Sequence, residues 1–337
     1  MRANLTKSEK RGSDPLTVAE LGERALIERI RLRIPATPPY VVLGIGDDAA
    51  VVQPERNMLE VITTDSQIEG VHFDQTFVGA ADIGHKALAV NLSDLAAMGA
   101  TPRVALLSLV LPPAWPVAHV DALLDSMIAL AERAHISIVG GNIARSPGPL
   151  IVDLTATGSV HRRRVLTRAG ARAGDELYVT GSLGGAAAGL RWLRGPEKPA
   201  DDAADKLIMR YLRPEPRLRC GILLGRNLAA RACIDLSDGL ADGIRQIGEA
   251  SGLGAVIDTG AVPIEKGSTL SDALGGGEDY ELLFAVSPRM RSRLRSVQRL
   301  VKGLSVTRIG RLTPERSMLV NRHGRLEELP AGFAHFA

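Results

Sequence analysis

Aromatic side chains are scarce in these 337 residues, with two Trp, four Tyr and five Phe. A surface that stacks exposed bases needs more of them, and no nucleic-acid recognition motif is present, so no nucleic-acid partner is expected. Cysteine is scarcer still. Cys220 and Cys233 form neither a disulfide framework nor a zinc or redox motif, which points to a reducing, cytoplasmic setting. No apolar run is long enough to span a bilayer, and the opening MRANLTKSEKRGSD lacks the apolar core of a signal peptide, so no membrane association is expected. Neither sign of charge dominates, with 41 Lys and Arg against 38 Asp and Glu. Basic residues gather in the first dozen positions and around Arg162, Arg163, Arg164, Arg168 and Arg172, a pattern that a frayed tail and a solvated stretch explain. Walker A, HRD, DFG and nucleophile-elbow sequences are all missing, as is any His pair or Cys/His group at metal spacing. The common nucleotide-binding folds are thereby excluded.

What is present is an ordinary globular balance, 45% hydrophobic and 23% charged, with 35 glycines. That length supports two domains with a real core. Residues 1–15 read as a disordered tail. Apolar Leu21, Ala25, Ile27 and Ile30 predict a helix from Leu16 to about Ile34, ended by Pro35. YVVLG, AAVVQ and LEVITTD read as strands, the first two split by a GIGDDA turn. A long helix is expected from about Gly84 to Met98, then a strand at VALLSLVLP and a helix from Val117 to Ala134. SIVGGN reads as a strand entering a tight turn, and LIVDLTATGSV as a further strand. A mixed α and β domain thus ends near residue 160. Beyond it, ELYVTGSLGGAAAGLRWL is a strand, a glycine turn and a helix, RGPEKPADDAAD a surface loop, CIDLSDGLADGIRQIGEA a short apolar segment entering a helix, and ALGGGEDYELLFAV a glycine turn feeding a strand.

Aspartates recur where apolar segments turn: Asp47 and Asp48 in GIGDDAAVV, Asp65 in VITTDSQIEGVHF, Asp94 in NLSDLAAMGA, Asp235 and Asp238 in IDLSDGL. A carboxylate beside a buried strand is costly unless hydrogen-bonded or neutralised by a cation. Converging carboxylates demand hard cations, and an all-oxygen set suits Mg²⁺. Singly, each is equally a turn residue or a helix cap, Asp238 especially. Asp94 is the most telling, because the segment from Ala87 to Met98 is apolar on nearly every side and is interrupted by Asn91, Ser93 and Asp94. No Lys or Arg lies one turn away on its face, so a metal ion is the better counter-charge. Two glycine-rich stretches are weaker signals. Gly44, Gly46 and Ala49 match a loose dinucleotide pattern, but two aspartates and a following strand argue against it. TGSLGGAAAG either cradles phosphate at a helix start or is a plain strand-to-helix turn.

Taken in order, GIGDDAAVV, TTDSQIEGVHF, KALAVNLSDLAAMGATP, GGN, RVLTRAGARAGDELYVTG, IDLSDGL and GGEDYELLF resemble the thiamine-monophosphate kinase family, from about residue 20 onward. NLSDLAAMGA alone fits the wider superfamily of aminoimidazole ribonucleotide synthetase, whereas TTDSQIEGVHF and IDLSDGL with GGEDYEL favour the kinase. The resemblance implies an α+β fold of two domains. Residues 16–160 would bind ATP and Mg²⁺ and form a barrel shared with a second copy in a homodimer, and residues 161–337 would cover the cleft. It implies transfer of the γ-phosphoryl of ATP to thiamine monophosphate, with several Mg²⁺ ions. By position it assigns metal binding to Asp48, Thr63, Thr64, Asp65, Asp94, Asp235 and Asp238, with Asp48, Asp94, Asp235 and Asp238 catalytic. Nucleotide contacts fall on Gly141, Asn142, Arg168 and Ser237, and acceptor contacts on His72, Glu278 and Phe333. Phe333 offers an apolar face to a ring, and Glu278 a charge to its cation. Many relatives carry Asp where this chain has Asn142, and an amide supplies an oxygen but no charge. The alternatives are another ATP-dependent enzyme of the superfamily or a non-catalytic nucleotide-binding protein on the same scaffold. A selenophosphate-type enzyme is disfavoured by the lack of a Cys near the N-terminus.

Overall fold

The computed structural model describes residues 15–195 and 202–332. Most of the expected tail and Phe333 lie outside those residues. The helix expected from Leu16 to Ile34 is two pieces, α1 (Val18–Leu21) and α2 (Glu23–Arg33), because Gly22 between them has φ 80°, a left-handed conformation that ends a helix. A short hairpin, β1 (Val41–Leu43) with β2 (Val51–Val52), follows, its loop being the Gly44–Ala50 segment that carries both aspartates.

The next elements are β3 (Leu59–Ile68), α3 (Ala80–Ala97), β4 (Thr101–Leu111), α4 (Val117–Ala134), β5 (Ser137–Arg145) and β6 (Ile151–Val160). The strands form one sheet in the order β3-β6-β4-β5, with β4 and β5 parallel and the other pairs antiparallel. Alternation along each strand sends Val152, Leu154 and Ala156 of β6 and Ala105, Leu107 and Leu109 of β4 into a core shared with α3 and α4. The opposite face stays open, with Ile62 at 68% and Leu106 at 42% exposure. GGN is not a turn. Gly140, Gly141 and Asn142 lie within β5, paired with Leu106, Leu107 and Ser108 of β4. The reason is close approach, since a Cβ on Gly141 would sit 1.8 Å from the Leu107 carbonyl oxygen. The glycines therefore let two parallel strands lie tight.

The second half runs β7 (Glu176–Thr180), α5 (Gly185–Arg194), α6 (Asp202–Leu212), α7 (Leu218–Arg226), β8 (Ala232–Asp235), α8 (Leu240–Ser251), β9 (Gly254–Asp258), α9 (Leu270–Gly275), β10 (Leu282–Val286), α10 (Arg291–Leu300), β11 (Val306–Thr313), β12 (Met318–Arg322) and β13 (Arg325–Glu328). The surface loop expected at RGPEKPADDAAD becomes helical from Asp202. The seven strands form one sheet, β13-β12-β9-β11-β7-β10-β8, parallel only between β12 and β9. β7, β8 and β10 are buried along their whole length. One face packs on α8, and the other on α7 and α10 together with Ala96 and Ala97 of α3. Helix α3, buried on nearly every side as its composition predicts, thus joins the two halves. Among the described residues, no helix is long and apolar enough to cross a membrane.

Candidate active site

Three carboxylates meet where β3, α3 and β8 come together. Strand alternation points Thr63 and Asp65 inward toward α3, where the Thr63 hydroxyl donates to Asp94 Oδ2. Ser93, the preceding residue of the helix, donates to Asp235 Oδ2 at 2.8 Å, at the end of β8. Burial raises Asp65 to about 7, and the negative charge of Asp94 adds to the effect. Burial also raises Asp94, opposed by hydrogen bonds from Thr63 and Asp65 and by the charge of Arg168. Asp235 is pushed up to about 7, again by burial first and then by Asp94, with Asp65 contributing. Acids arranged this way attract a cation or a proton.

Asp238 and Glu278 belong to the same neighbourhood. Buried Tyr280 has its phenol pushed well up, first by burial and then by the charges of Glu278, Asp235, Asp65 and Asp238. Two loops make this possible. The Glu278 amide donates to the Ser237 carbonyl at 2.6 Å, and the Tyr280 amide to the Leu236 carbonyl at 3.0 Å. Glu278 and Tyr280 both take left-handed backbone conformations, φ 61° and 49°, and such strain in non-glycine residues concentrates at functional sites. Asp238 does not cap α8. The N-cap is Gly239, and the Asp238 carboxylate accepts from the Ser237 hydroxyl at 2.8 Å.

Other expected residues are placed elsewhere. Thr64 points to the outer face of the sheet, donating to the Leu154 carbonyl at 3.3 Å and accepting from Thr155. Asp48 and Asn142 share a different cleft of about 700 Å³, lined also by Asp47, Gly140 and Gly141. Strands β3 and β5 are opposite edges of their sheet, so Asp65 and Asn142 are separated by the two strands between them and lie on opposite faces. His72 lies in the loop after β3, its Nδ1 accepting from the Ile68 amide at 3.2 Å.

The glycine turn before α5 is already occupied by protein. Asp279, buried, accepts from the Gly184 amide at 2.6 Å and the Ala186 amide at 3.2 Å, where a phosphate cradle was one of two expectations. Its carboxyl is raised to about 6, mainly by burial. Glu281 takes two bonds from Arg217, 2.7 Å and 2.5 Å, and one from Thr180 at 2.6 Å. Of the GGEDYE acids, therefore, Glu278 alone faces the candidate site. Sequence reasoning passed over Lys86, which is buried and pairs with Glu278 at 2.7 Å. Its signal was available, because Lys in a helix apolar on all sides is rarely buried without a partner.

The donor chemistry fits Mg²⁺. Among the described residues no three His, Cys, Asp or Glu side chains are gathered tightly enough to hold a metal by themselves. Mg²⁺ is commonly held by one or two carboxylates together with waters and substrate phosphates, and Asp65 and Asp235 are both raised by burial and by the charge of Asp94.

Residues 46–160 match the family model for the N-terminal domain of AIR synthase related proteins, and residues 172–321 match that for the C-terminal domain. Thiamine-monophosphate kinase of Escherichia coli K12 is 42% identical over 331 residues, covering 94% of this chain and 98% of that protein. Its Bacillus subtilis counterpart is 37% identical, covering 73% and 78%. Among solved structures, thiamine-monophosphate kinase from Stenotrophomonas maltophilia K279a aligns with TM-score 0.78 and 37% identity over 91% of this chain and 98% of that one. AaThiL complexed with AMPPCP and TMP aligns with TM-score 0.75 and 31% identity over 96% of this chain and all of that one. With this identity along nearly its whole length, and with an α+β fold shared with those structures, the chain belongs to the thiamine-monophosphate kinase family.

Proposed function

We infer that this protein transfers the γ-phosphoryl of ATP to thiamine monophosphate, giving thiamine diphosphate and ADP. The observation that carries the reading is the set of buried Asp235 and half-buried Asp65 and Asp94, all three raised by loss of water and two of them also by the charge of Asp94, in a chain 42% identical to a thiamine-monophosphate kinase. Asp65, Asp94, Asp235 and Asp238, helped by the Thr63 hydroxyl, would hold Mg²⁺, which when bound supplies positive charge against the phosphates of both substrates. Ser93 and Thr63 orient Asp235 and Asp94. Arg168, whose charge acts on Asp94, and Ser237, beside Asp238, face the nucleotide. Glu278 and His72 receive the acceptor. Transfer is direct and in line, since a phosphate monoester dianion attacks without a general base.

Asp48, Gly141 and Asn142 stand apart from the other acids within one chain. A homodimer accounts for them, with the open face of the four-stranded sheet as the joined surface. Exposed Ile62 and Leu106 on that face gain from burial against a second copy. Residues 16–160 would then supply the sheet and most metal ligands, and residues 161–337 the covering half. The setting is cytoplasmic, in keeping with two buried thiols, Cys220 and Cys233.

Product identification tests the reading. Pure protein with ATP, Mg²⁺ and thiamine monophosphate should release thiamine diphosphate and ADP, and free thiamine should not react. Turnover of thiamine in place of its monophosphate, or of neither, would overturn it.

A further inference from the structure

Lys86 lies on α3 two turns before Asp94, with 2% of its surface exposed. Its ammonium sits 2.7 Å from Glu278 Oε1 and 3.8 Å from the centre of the Tyr211 ring. The carboxylate contact lacks hydrogen-bond alignment, so the attraction is that of an ion pair, reinforced by the ring face. Tyr211, on α6, donates its hydroxyl to the His72 carbonyl at 3.0 Å. One buried cation thereby ties together two loops far apart in sequence. The Glu278 loop is reached through charge, and the His72 loop through the ring and its hydroxyl. Both loops need holding. Glu278 has a left-handed backbone, its side chain is 26% exposed, and Val71 beside His72 is 62% exposed.

We propose that Lys86 is a positioning residue for the acceptor, which through Glu278 and through Tyr211 to His72 sets the two sides of the acceptor pocket at a fixed spacing. This rests on the reading of Glu278 and His72 as acceptor-side residues. A buried ammonium is costly to keep, and packing alone is served better by Leu or Met at the same position. The ammonium is buried against the one GGEDYE acid that faces the site rather than against Asp279 or Glu281, which have backbone amides and guanidinium groups of their own. Lys86 itself does not touch the reacting phosphates.

The test measures KM for each substrate separately, and binding of a non-hydrolysable ATP analogue by calorimetry. Lys86→Met should raise KM for thiamine monophosphate by about tenfold or more, because Glu278 loses its anchor. KM for ATP and analogue affinity should stay within about twofold. Lys86→Arg, which keeps charge and ring contact, should recover most of the acceptor KM. Tyr211→Phe keeps the ring under the ammonium but drops the bond to His72, and should raise acceptor KM by a smaller factor, about threefold. Equal losses toward both substrates, or an acceptor KM unchanged in folded variants, would overturn the proposal. If Lys86→Met does not fold, Tyr211→Phe and Lys86→Arg decide by the same criterion. Parent enzyme inactive on thiamine monophosphate would instead refute the functional reading, an outcome distinct from active parent and indifferent variants.

Discussion

Two groups of buried or half-buried acids in this molecule are satisfied in different ways. Glu176 and Glu281 are matched by guanidinium groups. Glu176 takes bonds from Arg291 at 2.8 Å and 2.5 Å, which hold its carboxyl below the usual range, and Glu281 takes two from Arg217. Asp65, Asp94 and Asp235 have hydroxyls, each other and the charge of Arg168 on Asp94, and are nonetheless pushed upward. Under the proposed function, the second group is the one that would receive a cation from outside.

Substitution should separate the sets most sharply. Asp94→Asn or Asp235→Asn is expected to lower kcat about a thousandfold even with excess Mg²⁺, since an amide cannot replace charge in the site. Residual activity within tenfold of the parent would move that residue into the structural set. The reverse holds for Glu281→Ala, which strands Arg217 and should cost about 3 kcal/mol of stability by chemical denaturation. A loss under 1 kcal/mol would show that the arginine pairing is not what anchors that loop.

Proton linkage offers a third probe. In metal-free protein, Asp65 and Asp235 titrate near 7 folded, against 3.8 for the unsupported side chain. The folded state therefore holds more protons between those values, so these groups lower stability as pH rises from about 4 to about 7. The Tm difference between Asp235→Asn and the parent, measured in chelator, should grow in favour of the variant across that window. Added Mg²⁺ should then reverse it in the parent. A difference that stays flat with pH would mean Asp235 already has a counter-charge.

Two finer tests probe the edges of the cluster. Thr63→Val should slow turnover by about tenfold, and Thr64→Val by no more than about twofold, because the strand pleat turns only Thr63 toward Asp94. Equal effects would mean that the inner face alone does not define the site. The smallest effect is expected at Asn142, where Asn142→Asp should lower the free Mg²⁺ needed for half-maximal rate by about threefold. Coincident titration curves would remove Asn142 from the nucleotide-metal side.

Much of this was legible in the residues alone. The apolar girth of α3 predicted its burial, Val117–Ala134 is a helix end to end, and LEVITTD is a strand as expected, although its pleat turns only Thr63 and not Thr64 toward Asp94. The GGN segment misled because Gly-Gly-Asn is turn chemistry in isolation, whereas here the missing Cβ serves two parallel strands. TGSLGGAAAG left a phosphate cradle and a plain turn both open because nothing local reveals Asp279, ninety-odd residues later, at its amides.

The sequence by itself determined the chemistry: which segments are buried, that acids interrupt them, and that the motifs in order are those of one kinase family. Only the tertiary structure decided which acids keep company with which charges. Hydrophobic pattern is a local property of period and composition, readable within one element. Charge compensation depends on partners brought together from opposite ends of the chain, as Lys86 is to Glu278 and Ser93 to Asp235, and no local pattern carries that information.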